Sequence, residues 1–331
     1  MIKELSIIIT TFNRRDRLIR QLRSIYKQTI YNQVNIIILD NCSDYDITET
    51  LNSEFSNEEL SVLELVIRPY NIGMLGNISN AFTISKTKWM WLLSDDDETT
   101  EFSICKILEL IKKYPNILSI KFSKIRQFQK KDYGEKRITS IRTLLDFCIS
   151  DCIDLGNLIF MSNNVYNNEN LKPYIKDAFT FSYTYFPHIV PILLGLCDNK
   201  KDVIFVSDSI VKYVESEIPP SYDYLVSIYL GALSIADIPF DICDRDYKDL
   251  LCFFEMNPFW QISNDFYHST FSKKKHLYKK VYSSYSNNRW CISNWFTYNL
   301  FKFQMTIGSN FISNFILQFK KIVKMILNIF F

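Results

Sequence analysis

The sequence predicts an α/β fold in which helices cover both faces of a mostly parallel, doubly wound sheet. Two observations carry this prediction. Short, continuously apolar runs alternate with helical patterns through the first hundred residues, and polar or acidic residues follow directly after those runs. Strands of a parallel sheet are buried on both faces, and ligands bind beyond their carboxyl ends. The fold class therefore also predicts where a site should lie.

The predicted elements follow one another in regular order over residues 5–93. Helices are predicted where apolar side chains recur every three or four positions, and Asn13 is placed to cap the first of them. Strands are predicted at Leu5–Ile9, Val34–Leu39, Ser61–Ile67 and Lys88–Leu93, and helices at Leu18–Ile25 and Met74–Ser85. Repeated strand–helix units of this kind form parallel sheets.

The alternation is less regular from Phe102 to about Val206, and the character of the chain changes after Pro219-Pro220. Helices are predicted at Ile104–Ile111 and Ile141–Ile149, strands at Ile117–Phe122 and Asn157–Met161, and a polar loop at Arg126–Arg137. Long aromatic and aliphatic stretches with helical spacing follow the proline pair. We therefore predict one domain over residues 1–215 and a helical, aromatic-rich region over residues 216–331.

Composition excludes several classes of protein. The chain is 47% hydrophobic with a formal net charge of +2, which indicates a folded core and no field that would attract nucleic acid. Its eight cysteines are scattered without zinc-site spacing, as expected for reduced thiols in a cytoplasmic protein. The first residues are expected to form a strand rather than a signal peptide, and no run reaches the roughly 20 apolar residues that span a bilayer.

Three consecutive aspartates, Asp95, Asp96 and Asp97, follow the fourth predicted strand. Their mutual repulsion raises carboxyl pKa values unless a cation neutralises them. Hard divalent ions such as Mn²⁺ and Mg²⁺ prefer carboxylate oxygens and often keep phosphate oxygens as further ligands. Taken alone, the triplet is better explained as an acidic turn at a helix start. Asp40 and Arg68 follow neighbouring strands, however, and this convergence favours a metal–diphosphate site.

Four sequence blocks resemble glycosyltransferase family 2 in their order and spacing. They are SIIITTFNRRDRLIRQLRSIYKQ, IIILDNCSDYD, RPYNIGMLGN and WMWLLSDDDE, over roughly residues 5–100. The resemblance implies the GT-A fold and metal-dependent transfer of a sugar from a nucleotide-sugar, with inversion at the anomeric carbon. The LLSDDDE form and the later FPHIVPIL segment are similar to bacterial O-antigen sugar transferases of the abequosyltransferase-like group.

The resemblance also implies a set of residues that bind the nucleotide-sugar. Matched by position, these are Thr10, Thr11, Asn13, Asp40, Arg68, Asn71, Gly73 and Asp95. Asp40 is expected to accept a hydrogen bond from the base, and Asp95 to lie nearer the ribose. Gly73 is expected to let the backbone approach the ligand. Met74 stands where the family usually has a second glycine, so the detail of this loop stays open.

The aspartate run allows two assignments of the metal ligands. A literal D-x-D pattern pairs Asp95 with Asp97. Aligned with the family's commoner Asp-x-Asp-Asp form, Ser94 replaces the first acid, and Asp96 and Asp97 become the ligands of Mn²⁺ or Mg²⁺. We take Asp96 and Asp97 as the expected ligands, although spacing alone does not separate the two assignments.

Inversion needs one general base that takes the proton of the acceptor hydroxyl. The chain has no clean Glu-Asp pair at the place where the family carries this base, which leaves His188 and Asp177, and we take His188 ahead of Asp177. His188 follows Pro187 before an apolar helix, so its imidazole is expected at a helix N-terminus facing the cleft. The alternatives are a structural or acceptor-binding histidine, and a surface acid beside Lys176.

The C-terminal segment NFISNFILQFKKIVKMILNIFF, at residues 310–331, has a broad apolar helical face and lysines without any acid. Such a helix suits the surface of an anionic membrane. A tail over residues 305–331 is therefore expected to bind the membrane, and a terminal helix packed on the body or on another subunit is the alternative. The expected partners are a nucleotide-sugar donor, a saccharide acceptor linked to a lipid, and the membrane surface, with no nucleic acid.

The sequence thus predicts a cytoplasmic glycosyltransferase of the hexosyltransferase type, peripheral on the inner face of the cell membrane and active in O-antigen or capsule synthesis. UDP is the expected carrier because it is the most frequent nucleotide in the family. The alternative is a non-catalytic sugar-nucleotide-binding scaffold, which has less need of an intact acidic triplet. A dinucleotide oxidoreductase is excluded because TTFNRR offers no G-x-G-x-x-G turn after the first strand.

Overall fold

The computed structural model describes residues 3–123, 132–151, 153–212 and 231–256. Its strands are β1 (Leu5–Thr11), β2 (Asn35–Asp40), β3 (Leu63–Ile67), β4 (Trp89–Ser94), β5 (Glu98–Thr99), β6 (Ser119–Phe122), β7 (Glu135–Ile138), β8 (Asn164–Asn167), β9 (Val203–Val206) and β10 (Val211–Lys212). Eight strands form one sheet in the order β3-β2-β1-β4-β8-β6-β9-β7, and β5 pairs with β10 separately. The predicted α/β class with a mostly parallel sheet is confirmed.

Helices connect most of the strands and cover the sheet. They are α1 (Arg15–Tyr26), α2 (Ile47–Glu54), α3 (Asn57–Leu60), α4 (Gly73–Ile84), α5 (Ser103–Lys113), α6 (Ile141–Ser150), α7 (Leu155–Leu158), α8 (Asn168–Leu171), α9 (Ile175–Thr180), α10 (Val190–Cys197), α11 (Gly231–Ser234) and α12 (Asp244–Met256). Short 3₁₀ turns include Met161–Asn163, between α7 and β8.

The core lies on both faces of β1, β2 and β4. Ile7 of β1 belongs to a buried cluster that includes Leu18 and Leu22 of α1 and Ile107 of α5. Ile8 points to the opposite face because side chains alternate along a strand, and it is also fully buried. Burial on both faces explains why these strands are continuous apolar runs in the sequence.

The second half of the sheet departs from the predicted pattern. The strand expected at Asn157–Met161 is wrong, because this apolar stretch contains α7 and a 3₁₀ turn, and β8 begins only at Asn164. Asp154 caps α7 by accepting a hydrogen bond from the Asn157 amide at 2.6 Å, and such a cap favours the helix. β8 then runs antiparallel to both of its neighbours, β4 and β6.

The polar loop predicted at Arg126–Arg137 is wrong in its last part. Residues 135–138 form β7, an edge strand antiparallel to β9. Three of its four residues are exposed, so its sequence, EKRI, lacks the apolar pattern by which strands were predicted. The first part of the predicted loop, residues 126–131, lies outside the described residues.

The described residues fall into two compact units. One contains the described residues from 3 to 212 together with 237–250, and the other contains 231–236 and 251–256. The predicted boundary between residues 215 and 216 and the predicted tail at 305–331 lie outside the described residues. Within the part of the chain that the structure describes, no helix is both long and apolar enough to cross a membrane.

Candidate active site at the carboxyl ends of β1, β2 and β4

Three parallel strands end side by side and bring the sequence-predicted residues to one edge. In the β1–β2 ladder Thr11 is opposite Asp40, and in the β1–β4 ladder Thr10 is opposite Ser94. The aspartate run that follows Ser94 therefore lies next to the end of β1, the strand at the centre of this group. This edge is where ligands bind in open α/β sheets.

Asp95 is the most enclosed acid of the run. Its side chain is 2% exposed, and its two oxygens accept hydrogen bonds from the Thr11 hydroxyl at 2.8 Å and the Arg14 guanidinium at 2.9 Å. Burial raises the pKa of Asp95 to about 6, the charge of Asp96 adds to the rise, and Arg14 opposes it. Asp95 is therefore an enclosed carboxyl group whose negative charge is compensated by Arg14.

Asp96 is the accessible acid of the run, with a side chain 33% exposed. One oxygen accepts a hydrogen bond from the Ser94 hydroxyl. The other is approached by Arg14 at 3.3 Å and by Arg17 at 3.4 Å. Charge-assisted hydrogen bonds usually measure about 2.7–2.9 Å, so both guanidinium contacts to Asp96 are loose.

The acidic run has the donor chemistry of a site for a hard divalent ion. Asp97 is 5% exposed and Asp96 reaches solvent. Among the described residues no three His, Cys, Asp or Glu side chains are grouped as metal ligands. Mg²⁺ sites often use one or two carboxylates and complete the shell with water and phosphate oxygens. Asp96 and Asp97 fit that kind of site.

The loops after β1 and β2 are bound to each other through side chains. Asp40, 1% exposed, accepts hydrogen bonds from the Ser43 amide at 3.0 Å and the Ser43 hydroxyl at 2.5 Å. The Ser43 hydroxyl in turn accepts one from the Asn13 amide at 2.8 Å. Asn13 and Asp44 exchange two hydrogen bonds of 2.7 Å. Asp40 is thus held in a fixed orientation at the strand end.

The prediction that Asn13 caps α1 is wrong. The helix begins at Arg15 and has no side-chain cap. Asn13 instead has a φ of 53°, in the left-handed region that asparagine tolerates better than most residues. Its amide group is engaged by Asp44 across the two loops, which leaves it unable to bind the first turn of the helix.

An asparagine pair attaches the loop before α4 to the end of β2. Asn41 donates to Asn71 Oδ1 at 2.7 Å and accepts a hydrogen bond from the Ile72 amide at 3.0 Å. Asn71 Oδ1 also accepts one from the Gly73 amide at 2.7 Å. Gly73 has a φ of +79°, which only glycine adopts readily, so the glycine is needed for this turn.

Arg68 gives the strongest indication that this edge of the sheet binds a ligand. Its backbone amide donates to the Asp40 carbonyl at 3.0 Å, so it lies directly beside β2. Two guanidinium nitrogens, Nε and Nη2, are buried and have no acceptor among the described residues. A buried donor without an acceptor costs about 1–3 kcal/mol, and more when the group is charged. An anionic or carbonyl oxygen of a ligand would remove that cost.

Tyr45 is a neighbour of the site that the sequence did not indicate. Its hydroxyl is buried, and burial together with the negative charges of Asp40 and Asp95 raises its pKa to about 12. The neutral phenol therefore lies near both carboxylates.

The sequence analysis also missed four other residues of this edge, which are Arg14, Arg17, Asn41 and Ser43. The only signal for the two arginines is their spacing of three residues directly after the Thr-Thr-Phe-Asn block.

His188 does not face an open cleft as expected. Its imidazole is 5% exposed, and Nε2 lies 2.7 Å from the Ile159 carbonyl oxygen. Burial lowers the pKa of His188 to about 4, helped by the charge of Lys121 and opposed by the hydrogen bond to Ile159. His188 does precede α10, which begins at Val190, but its ring is engaged by the Ile159 carbonyl instead of facing a cleft.

Asp177 lies in the first turn of α9 and is partly exposed. The Ser79 hydroxyl of α4 donates to the Ala178 carbonyl at 3.0 Å, which packs α9 against α4. Asp177 therefore belongs to a helix that packs on α4, the helix that follows the Asn71–Gly73 turn. His188 and Asp177 are not joined to the aspartate run by any hydrogen bond or ion pair found among the described residues.

Comparisons with known proteins agree with this fold. Residues 6–163 match the family model of Glycosyl transferase family 2. No curated protein sequence matches the chain significantly. Many solved structures do resemble it.

Three of these structures show the range of the likeness. S. aureus TarS 1-349 in complex with UDP-GlcNAc has a TM-score of 0.60 at 13% identity, over 84% of this chain and 79% of that chain. The longer S. aureus TarS structure has a TM-score of 0.57 at 14% identity, over 84% of this chain and 48% of that chain. The mannosyltransferase PcManGT from Pyrobaculum calidifontis, in complex with GDP-Man and Mn²⁺, has a TM-score of 0.51 at 12% identity, over 92% and 81%. At these identities the likeness shows the fold alone.

Proposed function

We propose that this chain, whose residues 6–163 match the Glycosyl transferase family 2 model, is an inverting glycosyltransferase that moves a hexosyl unit from a nucleotide-sugar to a saccharide acceptor. The observation that carries the proposal is the half-buried Arg68, whose guanidinium nitrogens Nε and Nη2 are buried without an acceptor among the described residues. Its backbone amide binds the Asp40 carbonyl, on the edge that also bears the aspartate run. UDP is the proposed carrier. The TarS and PcManGT structures were determined with UDP-GlcNAc and GDP-Man, which supports a nucleotide-sugar as the donor.

The proposed donor site follows the strand ends. It comprises Thr10, Thr11, Asn13, Asp40, Arg68, Asn71, Gly73 and Asp95. Each oxygen of a carboxylate has two lone pairs, so Asp40 can accept from the base while it holds Ser43. Arg68 would donate to oxygens of the base or the diphosphate. Asp95, fixed by Thr11 and Arg14, would lie nearer the ribose.

Asp96 and Asp97 are the proposed ligands of Mn²⁺ or Mg²⁺. When bound there, such an ion would neutralise charge on the departing nucleoside diphosphate. The pair combines one accessible carboxylate with one buried carboxylate, so it can hold an ion at the solvent-facing side of the strand end. Asp95 is engaged by Thr11 and Arg14 instead, which supports Asp96 over Asp95 as a ligand.

The general base is proposed to be His188 or Asp177, and their surroundings favour Asp177. A base must come within hydrogen-bonding distance of the acceptor hydroxyl. Asp177 is partly exposed, whereas His188 is enclosed and engaged by the Ile159 carbonyl. Loss of transfer in Asp177→Asn with transfer retained in His188→Gln would assign the role to Asp177, and the opposite result would assign it to His188.

We further propose a lipid-linked acceptor in surface polysaccharide synthesis, and a place on the inner face of the cell membrane. Both proposals rest on the sequence. The basic, aromatic tail and the similarity of FPHIVPIL to abequosyltransferase-like enzymes support them.

A scaffold that binds sugar nucleotides without catalysing a reaction is the second candidate function. It is disfavoured by the complete aspartate run at the strand end.

A thermal-shift panel of UDP-, dTDP-, GDP- and CDP-sugars with and without Mn²⁺ tests the proposed function. One donor class is expected to stabilise the protein, and more strongly with metal. Hydrolysis of that donor should fall about 10³-fold in Asp96→Ala/Asp97→Ala, because a bound ion contributes several kcal/mol to the transition state. Binding without hydrolysis in the unaltered protein would favour the scaffold. An equal response to NADH would exclude a nucleotide-sugar site.

A further inference from the structure

Two guanidinium groups lie against the accessible carboxylate of the aspartate run. Arg14 is shared between Asp95 at 2.9 Å and Asp96 at 3.3 Å, and Arg17 approaches the same Asp96 oxygen at 3.4 Å. Arg14 directly precedes α1 and Arg17 lies in its first turn, so both guanidinium groups reach the aspartate run from the start of this helix.

The contacts to Asp96 differ in quality from the contact to Asp95. The Arg14–Asp95 distance of 2.9 Å is normal for a charge-assisted hydrogen bond, and Asp95 is buried. The two contacts to Asp96 are about 0.5 Å longer than such bonds usually are, and Asp96 is 33% exposed. Exposed ion pairs are worth about 1 kcal/mol or less. The guanidiniums can therefore leave Asp96 at little cost, whereas Arg14 keeps its bond to Asp95.

A nucleoside diphosphate is the ligand whose chemistry matches this pair. The planar fork of a guanidinium is suited to bidentate contacts with phosphate oxygens. The arginine side chains are 26% and 20% exposed, so they are both partly desolvated and reachable from solvent. A diphosphate placed beside the aspartates also needs nearby positive charge, because three carboxylates would otherwise repel it.

We propose that Arg14 and Arg17 bind the diphosphate of the donor, and that in the free protein they are held in place by Asp96. This inference rests on the proposed function, since it names further residues of the same donor site. On donor binding, the Arg17 guanidinium exchanges the Asp96 carboxylate for phosphate oxygens. Arg14 approaches Asp95 and Asp96 with the same nitrogen, Nη1, and it keeps its bond to Asp95 while the looser contact to Asp96 is exchanged. Asp96 is then available to a divalent ion. The arginines thus supply part of the positive charge that the diphosphate requires.

Arg17→Gln is the variant that tests the proposal, because Arg14 also compensates the buried Asp95. Binding of UDP and of UMP to the full-length protein would be measured by titration calorimetry in EDTA, with GDP and GMP, or the dTDP and CDP pairs, used if the thermal-shift panel selects another carrier. Arg17→Gln should weaken the diphosphate roughly 10- to 100-fold and change the monophosphate less than about threefold, since hydrogen bonds to charged groups contribute about 1.5–3 kcal/mol. Arg17→Lys, which keeps the charge without the fork, should recover part of the loss.

Arg15→Gln is the matched control. Arg15 lies on the same helix, carries the same charge and is exposed, but it forms no ion pair with the aspartates among the described residues. Its removal should leave binding of both nucleotides unchanged. An equal loss in Arg15→Gln and Arg17→Gln would reduce the effect to long-range charge and overturn the proposal. Equal weakening of UDP and UMP by Arg17→Gln, or no weakening, would overturn it as well.

Mn²⁺ binding, measured by electron paramagnetic resonance without nucleotide, distinguishes the release of Asp96 by Arg17 from a disturbance of the whole aspartate run. Because Arg17→Gln removes a competitor for Asp96, Mn²⁺ should bind this variant as well as or better than the unaltered protein. A loss of Mn²⁺ binding would show that the variant disturbs the aspartate run and would contradict the exchange. If the unaltered protein binds no nucleoside diphosphate at all, the proposed function itself fails, and the inference fails with it.

Discussion

The parallel half of the sheet and the half built around β8 use their polar side chains differently. At the ends of β1, β2 and β4 the charged groups lie at the strand termini, and several of them reach solvent. In the other half, Lys121 lies within β6 and is 2% exposed, although it carries a charged ammonium group. The first arrangement suits a ligand that arrives from solvent, and the second serves the protein's own backbone.

The polar groups of the second half converge on the turn between α7 and β8. Lys121 donates to the Phe160 carbonyl at 3.0 Å and to the Asn163 side chain, and His188 lies 2.7 Å from the Ile159 carbonyl. The Trp91 indole donates to the Ser162 carbonyl at 2.8 Å. A turn whose carbonyls point into the core needs such donors, because unpaired buried acceptors are costly.

The same turn is bonded to β4, in the first half, by Ser94 as well as by Trp91. The Ser94 amide, directly before the aspartate run, donates to the Ser162 hydroxyl at 3.0 Å. The buried half therefore supports the strand end that carries the site. Changes in the buried half are expected to alter stability, whereas changes at the strand ends are expected to alter binding.

The buried His188 should make the stability of the unaltered protein depend on pH, and this is the largest effect that we expect on stability. The folded pKa of about 4 lies below the ordinary value of 6.5, so the folded protein binds fewer protons than the unfolded chain between these values. Stability from the neutral imidazole is fully present above pH 6.5 and is lost as the pH falls toward 4. At 1.36 kcal/mol for each pKa unit, the loss reaches about 3 kcal/mol.

Urea unfolding of the unaltered protein and of His188→Gln between pH 7.5 and 4.5 measures this dependence. The unaltered protein should lose more stability than the variant over that interval, and the difference should develop below pH 6.5. Parallel curves for the two proteins would show that His188 has the same pKa in the folded protein and in the unfolded chain. His188 would then be grouped with the accessible charges of the site rather than with the buried support of the turn.

Removal of the Lys121 ammonium should cost somewhat less. Lys121→Met keeps the length of the side chain but leaves the Phe160 carbonyl and the Asn163 oxygen without this donor. We expect the free energy of unfolding to fall by about 2 kcal/mol. Lys136→Met, on the exposed edge strand β7, is the control and should change stability by less than about 0.5 kcal/mol. Equal effects of the two substitutions would contradict the contrast between buried and exposed charge.

The first half of the fold could be predicted because each of its strands is determined by residues that are neighbours in the sequence. β1, β2 and β4 are buried on both faces, so an unbroken apolar run marks each of them and the next polar residue marks the site edge. The aspartate run and Asp40 were found in this way. Arg14 and Arg17 were missed because a surface helix commonly carries arginines, and only the three-dimensional fold brings these two against Asp96.

The second half was harder because tertiary contacts override local pattern there. The apolar stretch from Asn157 to Met161 has the composition of a strand, but Asp154 starts a helix and buried donors fix the turn that follows. β7 is polar because it is an exposed edge strand. The burial of His188 depends on the Ile159 carbonyl, 29 residues earlier in the chain, so spacing near His188 could not reveal it.

Two glycines, one in each half of the sheet, give the smallest expected effect and the most closely matched comparison of the two halves. Gly73 in the first half has a φ of +79° and donates its amide to Asn71 Oδ1 at 2.7 Å, while Gly134 has a φ of +62° and donates to Asp132 Oδ1 at 2.9 Å. A Cβ on either glycine would meet no atom within 4 Å. The cost of Gly73→Ala or Gly134→Ala is therefore one of backbone conformation, about 1 kcal/mol in each case.

Function should distinguish the two glycine variants although stability does not. The Gly73 amide donates to Asn71, which is itself bound by Asn41 at the proposed donor edge. Gly73→Ala should therefore shift this loop and weaken nucleoside diphosphate binding. The loss should be about 10-fold if one hydrogen bond to the ligand is lost. Gly134 precedes the edge strand β7, so Gly134→Ala should leave binding unchanged. Unfolding in urea and calorimetric titration with UDP provide the two measurements. If both variants lose the same stability and neither loses affinity, the backbone at Gly73 does not approach the ligand, and the donor site must depend on side chains at the strand ends alone.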